Sequence, residues 1–344
     1  MLRLPPFTYH VPRSIDDAVN LYAQYGADAM FVAGGTDLYP NMKRRQFEPK
    51  VLIGLNALTE LRGITNDNGI TLRAGTSLAQ ISAHPILQSQ YAALAIAAQL
   101  VSTPQLRAMG TLGGNLCLDT RCNYYDQEFW WRKALGFCMK KDGEICMVAP
   151  GSSRCWACMK KDGEICMVAP GSSRCWAVSS TDCAPVVIAL DGRVRLVSPR
   201  GERVIAATDL YRDDGIEYLG KARDELLTEI ILPPADSVKS VYLKLRRRDS
   251  FDFPILGVAA ALRFAPNGEI ETARLVLGGV GSRPLECVES ARLLIGQKLS
   301  RKVIDAAAEA AWKPARPLDN TDSTHGYRKK MARVYVARAL EALA

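Results

Sequence analysis

Histidine is scarce in this chain: 344 residues carry three, at His10, His84 and His325, none near another. A histidine-based metal site would have to be assembled from distant segments, so imidazole ligation carries little weight. Long apolar runs are also missing. No stretch reaches the roughly eighteen residues that a membrane-spanning helix needs, which excludes a membrane partner of that kind. The opening MLRLPPFTYHVPRS has three prolines and no apolar core of signal length, so the chain is expected to stay cytoplasmic. Charge of one sign is not concentrated either. The net +8 comes from scattered basic residues, and no nucleic-acid motif accompanies them. The short cluster Arg246, Arg247 and Arg248 reads as a solvated face. What remains is ordinary for a soluble globular chain, with 48% hydrophobic and 23% charged residues, long enough for two or three modest domains.

Cysteine, by contrast, is plentiful and clustered. Of ten in the chain, all but Cys287 lie between Cys117 and Cys183. In a reducing compartment such thiols are metal ligands or buried apolar groups rather than a disulfide framework. Within this stretch a block of twenty residues, CMKKDGEICMVAPGSSRCWA, occupies 138–157 and recurs letter for letter at 158–177. Its copies bring Cys138, Cys146 and Cys155, then Cys158, Cys166 and Cys175, with Cys122 upstream of both. Four thiolates converging on one point suit an iron–sulfur cubane, because soft sulfur ligands match iron and offset its charge. Cys122, Cys138, Cys146 and Cys155 meet that count, with wide spacings. By sequence identity the second copy serves equally well, so the choice of copy stays open. The CxxC at Cys155–Cys158 spans the junction of the copies and reads as a by-product of the duplication. Cys117 and Cys183 are expected to be buried structural residues.

Along the rest of the chain, Ser14 with Asp17 starts a helix that Gly26 ends. Ala29–Ala33 reads as a short buried strand, followed by Gly34-Gly35-Thr36-Asp37 and a helix or turn from Leu38 towards Arg45. A strand, a glycine turn and a helix start leave several backbone N–H groups free at one point, which suits a phosphate. This is not the G-x-G-x-x-G fingerprint of a doubly wound dinucleotide fold. Strands are expected at 51–53 and 70–74, and helices at 78–81, 91–100 and around 105–108. A second glycine loop follows, Gly110-Thr111-Leu112-Gly113-Gly114-Asn115, and two such loops can wrap a diphosphate from two sides. Beyond the cysteines, Asp182 begins an apolar element, where its carboxylate caps a helix or accepts bonds from a ligand; the cap is the better reading from sequence alone. Strands are expected at 193–196, near Val204, and at 241–245 and 273–279, with a small-residue apolar run at 255–264 between the last two, then helices at 288–295, 303–311 and 327–344. Pro233-Pro234 marks a boundary.

The order AGGTD, MGTLGGNLC, SSTDCAPVVIALDG and YLKLRRRD, together with the YRKKMARVYVARALEAL end, resembles the flavin-binding medium subunits of the xanthine dehydrogenase and carbon monoxide dehydrogenase family. Ordinary members pass almost directly from the second glycine loop to the Asp182 segment. The cysteine-rich insertion found here resembles that of the 4-hydroxybenzoyl-CoA reductase branch, apart from the repeat. This resemblance implies an α+β fold: two FAD-binding subdomains (1–57 and 58–232, the latter with the insertion at about 118–178), not on a Rossmann sheet, then a sheet-plus-helices domain over 233–344. It implies that FAD is held by Met30, Phe31, Val32, Ala33, Gly34, Gly35, Thr36 and Asp37, by Val101, and by Thr111, Leu112, Gly113, Gly114 and Asn115, with Asp182 on the adenosine side and Lys244 on the strand leading towards the cofactor. It implies one [4Fe-4S] cluster on Cys122, Cys138, Cys146 and Cys155.

No residue has the pattern of an acid–base catalyst, which agrees with an electron relay. The resemblance places the molybdenum cofactor on a large partner subunit and [2Fe-2S] clusters on a small one, in a dimer of heterotrimers. Ferredoxin is the implied electron donor, and the implied chemistry is reductive dehydroxylation of 4-hydroxybenzoyl-CoA in anaerobic aromatic degradation. Two alternatives stand beside it: a FAD subunit of an oxidising molybdenum hydroxylase, and a zinc-stabilised interaction module without a redox role.

Overall fold

The structure, a computed structural model, describes residues 2–148 and 174–344. Its first unit is a parallel three-stranded sheet of β1 (Thr8–His10), β2 (Ala29–Val32) and β3 (Val51–Gly54), in the order β1-β3-β2. Helix α1 (Ile15–Tyr25) packs on it through Ala18, Val19 and Tyr22. As read from sequence, Ser14 caps α1 by accepting from the Asp17 amide at 3.0 Å, and Gly26 ends it with positive φ. Helix α2 (Leu38–Lys43) follows the first glycine loop.

The second unit is an antiparallel five-stranded sheet, order β4-β5-β8-β6-β7, of β4 (Ile64–Asn66), β5 (Ile70–Arg73), β6 (Arg193–Ser198), β7 (Gly201–Ala206) and β8 (Leu226–Leu232). Its helices are α3 (Leu78–Ala83), α4 (Pro85–Gln90), α5 (Ala92–Gln99), α6 (Pro104–Met109), α7 (Leu112–Leu116), α8 (Phe129–Ala134) and α9 (Cys183–Ala189). Strand β8 runs through the middle of this sheet although it carries Glu229. That carboxylate pairs with Arg73 on β5 and, at 2.8 Å, with Arg195 on β6.

The third unit is an antiparallel sheet, β12-β11-β10-β9, of β9 (Val238–Leu245), β10 (Leu256–Phe264), β11 (Ile270–Gly278) and β12 (Leu285–Glu286), with α10 (Val288–Leu294), α11 (Arg301–Ala311) and α12 (His325–Glu341). Its central strand β10 is buried on both faces, which accounts for the unbroken apolar run seen in the sequence. Leu256, Val258, Ala260 and Leu262 join the core with α11 and α12, while Ala259 and Ala261 join the core of the second unit. Small residues on that second face let the two units approach closely.

The cysteine segment leaves and rejoins this framework at one place. Arg121 and Val178 exchange both backbone hydrogen bonds, at 2.8 and 2.7 Å, so its two ends lie side by side. The insertion is tethered to the third unit, where the Asn320 carbonyl accepts from the Asn123 amide at 2.8 Å and the Asn320 side chain donates to the Trp176 carbonyl at 2.8 Å. Among the described residues no helix is long and apolar enough to cross a membrane.

Candidate functional site

The two glycine loops meet. Gly34, just beyond β2, lies so close to the end of α6 that a Cβ there would stand 2.0 Å from the Met109 carbonyl oxygen. Gly113, in α7, has Ala74 beyond β5 against it, 2.7 Å from where its Cβ would be. Only residues without side chains permit this approach. Thr111 caps α7 by accepting from the Gly114 amide at 3.1 Å. Among the described residues, the amides of Gly34, Gly35, Thr36 and Asp37 donate no hydrogen bond to the protein. Four successive amides without a protein acceptor, at the foot of a helix, form a nest for an anion such as a diphosphate.

These loops form the shared wall of two adjoining cavities of about 640 and 410 Å³, each in the range of small-molecule sites. Met30, Phe31, Ala33, Thr111 and Gly114 face both cavities. Gly113 faces the larger one, and Val32, Gly34, Gly35, Thr36, Asp37, Val101, Asn115 and Asp182 face the smaller. Two further expected cofactor contacts are placed elsewhere. The Leu112 side chain is fully buried in the core, and its amide is taken by the Thr76 carbonyl at 3.0 Å.

Lys244 is buried behind the cavity wall. Its ammonium donates to the Leu100 carbonyl at 3.0 Å, the Asp252 carbonyl at 3.0 Å and the Asp182 carboxylate at 3.2 Å. Asp182 occupies the cap position of α9 without capping it through its side chain, which corrects the sequence expectation. Its carboxylate instead accepts from Lys244 and, at 2.8 Å, from the Tyr242 hydroxyl. Burial pushes its carboxyl up to about 6, against the pull of Lys244 and of the Tyr242 hydroxyl. Asn115 fixes the neighbouring backbone, its side-chain oxygen accepting from the Thr181 hydroxyl at 2.6 Å and the Cys183 amide at 3.1 Å.

Several wall residues carried no signal in the sequence. Arg121 pairs with Asp37 of the first glycine loop and with Asp126 at 3.2 Å, and stacks over the Phe253 ring at 4.6 Å. Its adjacency to Cys122 was the one available hint. Phe251 and Phe253, between β9 and β10, close the smaller cavity from the third unit. The combined site therefore has walls from all three units. Cys183 is fully buried in α9, as expected of a structural thiol, whereas Cys117, expected to be buried, is only half-buried and borders both cavities.

A third, small cavity is lined by four thiols: Cys122, Cys138, Cys146 and Cys175. Cys155, expected as the fourth ligand, lies outside the described residues, as do Cys158 and Cys166. Cys175, the last cysteine of the second copy, stands with the three upstream thiols. Local structure explains the gathering. Cys122 opens a tight turn closed by the Tyr125 and Asp126 amides on its carbonyl, at 2.9 and 2.8 Å. Cys138 and Cys146 flank a narrow hairpin, in which the Met139 amide donates to the Ile145 carbonyl at 3.0 Å. Cys175 is held by Gly215, whose amide donates to its carbonyl at 2.9 Å and whose own Cβ, were there one, would stand 2.6 Å from the Cys175 sulfur.

Backbone amides two residues on point at three of these sulfurs: Tyr124 at Cys122, Lys140 at Cys138 and Ala177 at Cys175, the last at 3.4 Å. Burial raises the Cys122 and Cys138 thiols and lifts that of Cys175 to about 12, while these amides pull the other way. Amides aimed at sulfur favour thiolate and are a known control on iron–sulfur centres. Among the described residues no three such side chains stand close enough to hold a single metal ion. The space between the four thiols is only about 10 Å³, so a cluster seated there would have to press the loops apart. Four soft sulfurs with amide support are the donor set of an iron–sulfur cluster or of a zinc ion.

The family profile described as the FAD binding domain in molybdopterin dehydrogenase matches residues 5–235, and the CO dehydrogenase flavoprotein C-terminal domain matches residues 240–343. The chain is 28% identical over 340 residues to the carbon monoxide dehydrogenase medium chain of Hydrogenophaga pseudoflava, covering 98% of this chain and 97% of that one. It is 32% identical over 284 residues to the aldehyde oxidoreductase FAD-binding subunit PaoB of Escherichia coli K12, covering 81% and 82%. A solved carbon monoxide dehydrogenase from H. pseudoflava superposes with a TM-score of 0.76 at 27% identity, over 99% of this chain and 98% of that one.

Proposed function

Since this chain belongs to the FAD-binding medium subunits of the molybdenum hydroxylase family, we propose that it is a two-centre electron relay, with FAD in the joined cavities and a four-thiolate iron–sulfur cluster beside them. The single observation that carries the second centre is the convergence of Cys122, Cys138, Cys146 and Cys175 on one cavity. Bound flavin supplies exchange between one- and two-electron chemistry, and a bound cluster supplies one-electron transfer. The chain's own residues do the rest. The free amides of Gly34 to Asp37 receive the diphosphate, and Asp182, set by Tyr242 and Lys244, offers a fixed acceptor to the cofactor's hydroxyls. Burial of the thiols keeps solvent from the iron. The divisions 1–57, 58–232 and 233–344 are taken as the units that this arrangement joins.

Beyond the family, the reading is of one subunit among three, with molybdenum on a large chain and [2Fe-2S] clusters on a small one, and with ferredoxin delivering electrons through the cluster. The insertion supports reductive dehydroxylation of 4-hydroxybenzoyl-CoA as the overall reaction, since an additional cluster suits electrons arriving from a protein donor. A second reading has a specific observation in its favour. The relatives matched along nearly the full length include medium chains named for dehydrogenases such as that of carbon monoxide, which supports a FAD subunit of an oxidising enzyme.

Iron, zinc and flavin content of anaerobically purified protein separates these possibilities. About four irons and one FAD per chain support the relay. Flavin without iron leaves the ordinary medium-subunit reading, and zinc without flavin overturns both. Reduction of the assembled complex by reduced ferredoxin, measured against reduction by substrate, then distinguishes the two directions of electron flow.

A further inference from the structure

The cofactor cavity and the thiol cavity share a wall, and two side chains face both: Tyr125 and Lys140. Lys140 is the only charged residue among the described residues that line the thiol cavity. Its side chain is 5% exposed, and its ammonium is fixed by three acceptors: the Asp119 carboxylate at 2.7 Å, the Thr120 hydroxyl at 2.5 Å and the Gly215 carbonyl at 2.6 Å. Two aromatic faces add to the cage, the Tyr125 ring at 4.7 Å and the Tyr218 ring at 5.4 Å. Asp119, which also accepts from the Tyr125 hydroxyl at 3.0 Å, faces both cofactor cavities.

A buried lysine is an unusual choice for a mere strap. Desolvating an ammonium is costly, and an apolar side chain of similar length would hold the loop at less expense in stability. Here the positive group stands at the thiol cavity and its counter-charge at the cofactor cavity. A charge fixed in so dry a wall acts on its neighbours far more strongly than one in solvent.

We propose that Lys140 is the positioning residue that sets the reduction potential of the cysteine site, its ammonium favouring the electron arriving there and its partner Asp119 setting how much of that charge is felt. This rests on the cluster reading above. A cluster held by the four thiolates would gain one negative charge on taking one electron from a donor such as dithionite, with no bond made or broken. The ammonium lowers the free energy of that added charge. The same ion pair forms the wall of the flavin cavity, so the two centres share one electrostatic control.

The test is a potentiometric titration of the full chain, purified anaerobically, in parent, Lys140→Gln, Lys140→Arg and Asp119→Asn forms, with iron and flavin content determined on each. At a fixed applied potential, Lys140→Gln is expected to lower the reduced-to-oxidised ratio of the cluster about tenfold, equivalent to about 59 mV for a one-electron couple. Lys140→Arg should retain the parent ratio. Asp119→Asn, which leaves the ammonium uncompensated, should raise the ratio. Opposite shifts from the two charge removals identify an electrostatic role. Iron retained with an unshifted ratio in both overturns the inference alone, as does loss of iron in both with an unshifted ratio in whatever cluster remains, because that marks a strap. A parent chain without iron overturns the cluster reading and this inference with it.

Discussion

The Lys244 ammonium and the Asp182 carboxylate lie 3.2 Å apart with neither side chain more than 3% exposed. The sequence holds them 62 residues apart. Even with this partner, burial dominates, and the Asp182 carboxyl is held at about 6, above its ordinary 3.8. Folding therefore takes up a proton in that interval. The contribution of Asp182 to stability is fully present below the unfolded value and is lost as pH rises through the folded one. The parent is expected to lose up to ~3 kcal/mol relative to Asp182→Asn between about pH 4 and pH 6, and nothing further above. Denaturant midpoints of both proteins across that range check the sign. A relative gain of the parent with rising pH would mean that Lys244 outweighs burial.

The choice of cysteine is testable by iron content. Cys175→Ser should lose most of the iron, whereas Cys155→Ser should keep it. Removal of residues 158–177 leaves Cys155 followed by Trp156, Ala157 and then Val178, the same local sequence that now surrounds Cys175. That shortened chain should bind iron as the parent does. Retention by Cys175→Ser together with loss by Cys155→Ser would reverse the assignment.

Gly215→Ala probes the same site from outside it. The added Cβ would stand 2.6 Å from the Cys175 sulfur and 2.7 Å from the Ala177 amide, so either the sulfur or the backbone at Ala177 must move. Such overpacking costs about 1–3 kcal/mol. Iron content should fall while flavin content stays near that of the parent, since Gly215 does not face either cofactor cavity.

Gly34→Ala should do the converse. Its Cβ meets the Met109 carbonyl at 2.0 Å, a backbone atom that cannot swing aside. The two glycine loops would be forced apart, and the expected result is loss of bound flavin and a melting temperature lower by several degrees. Visible absorbance and a thermal scan measure both effects.

The glycine loops were legible because their chemistry is local: a strand, glycines and a helix start follow each other directly. So were α1, with its Ser14 cap, and α12, whose buried Arg328, Ala332, Val336 and Leu340 recur every four residues. Strand β8 was missed. Its run Leu226–Leu232 carries Glu229, and the arginines that make a buried carboxylate tolerable there lie on β5 and β6. The Asp182 cap was read wrongly for the same reason, since Tyr242 and Lys244 arrive from β9. Cys175 could not be separated from Cys155 by letters that are identical. Its place beside the three upstream thiols follows from its position next to Val178 and Gly215, where the chain returns to the framework.

The paired backbones of Arg121 and Val178 bear on how such a subunit can change over time. A segment whose two ends are already hydrogen-bonded to each other behaves like an appliance on a socket. A segment so anchored carries a twenty-residue repeat while its two ends stay paired. With a redox centre in the insertion, as proposed, its gain or loss would require one genetic event at one site, and the cofactor cavities of the framework would persist through it.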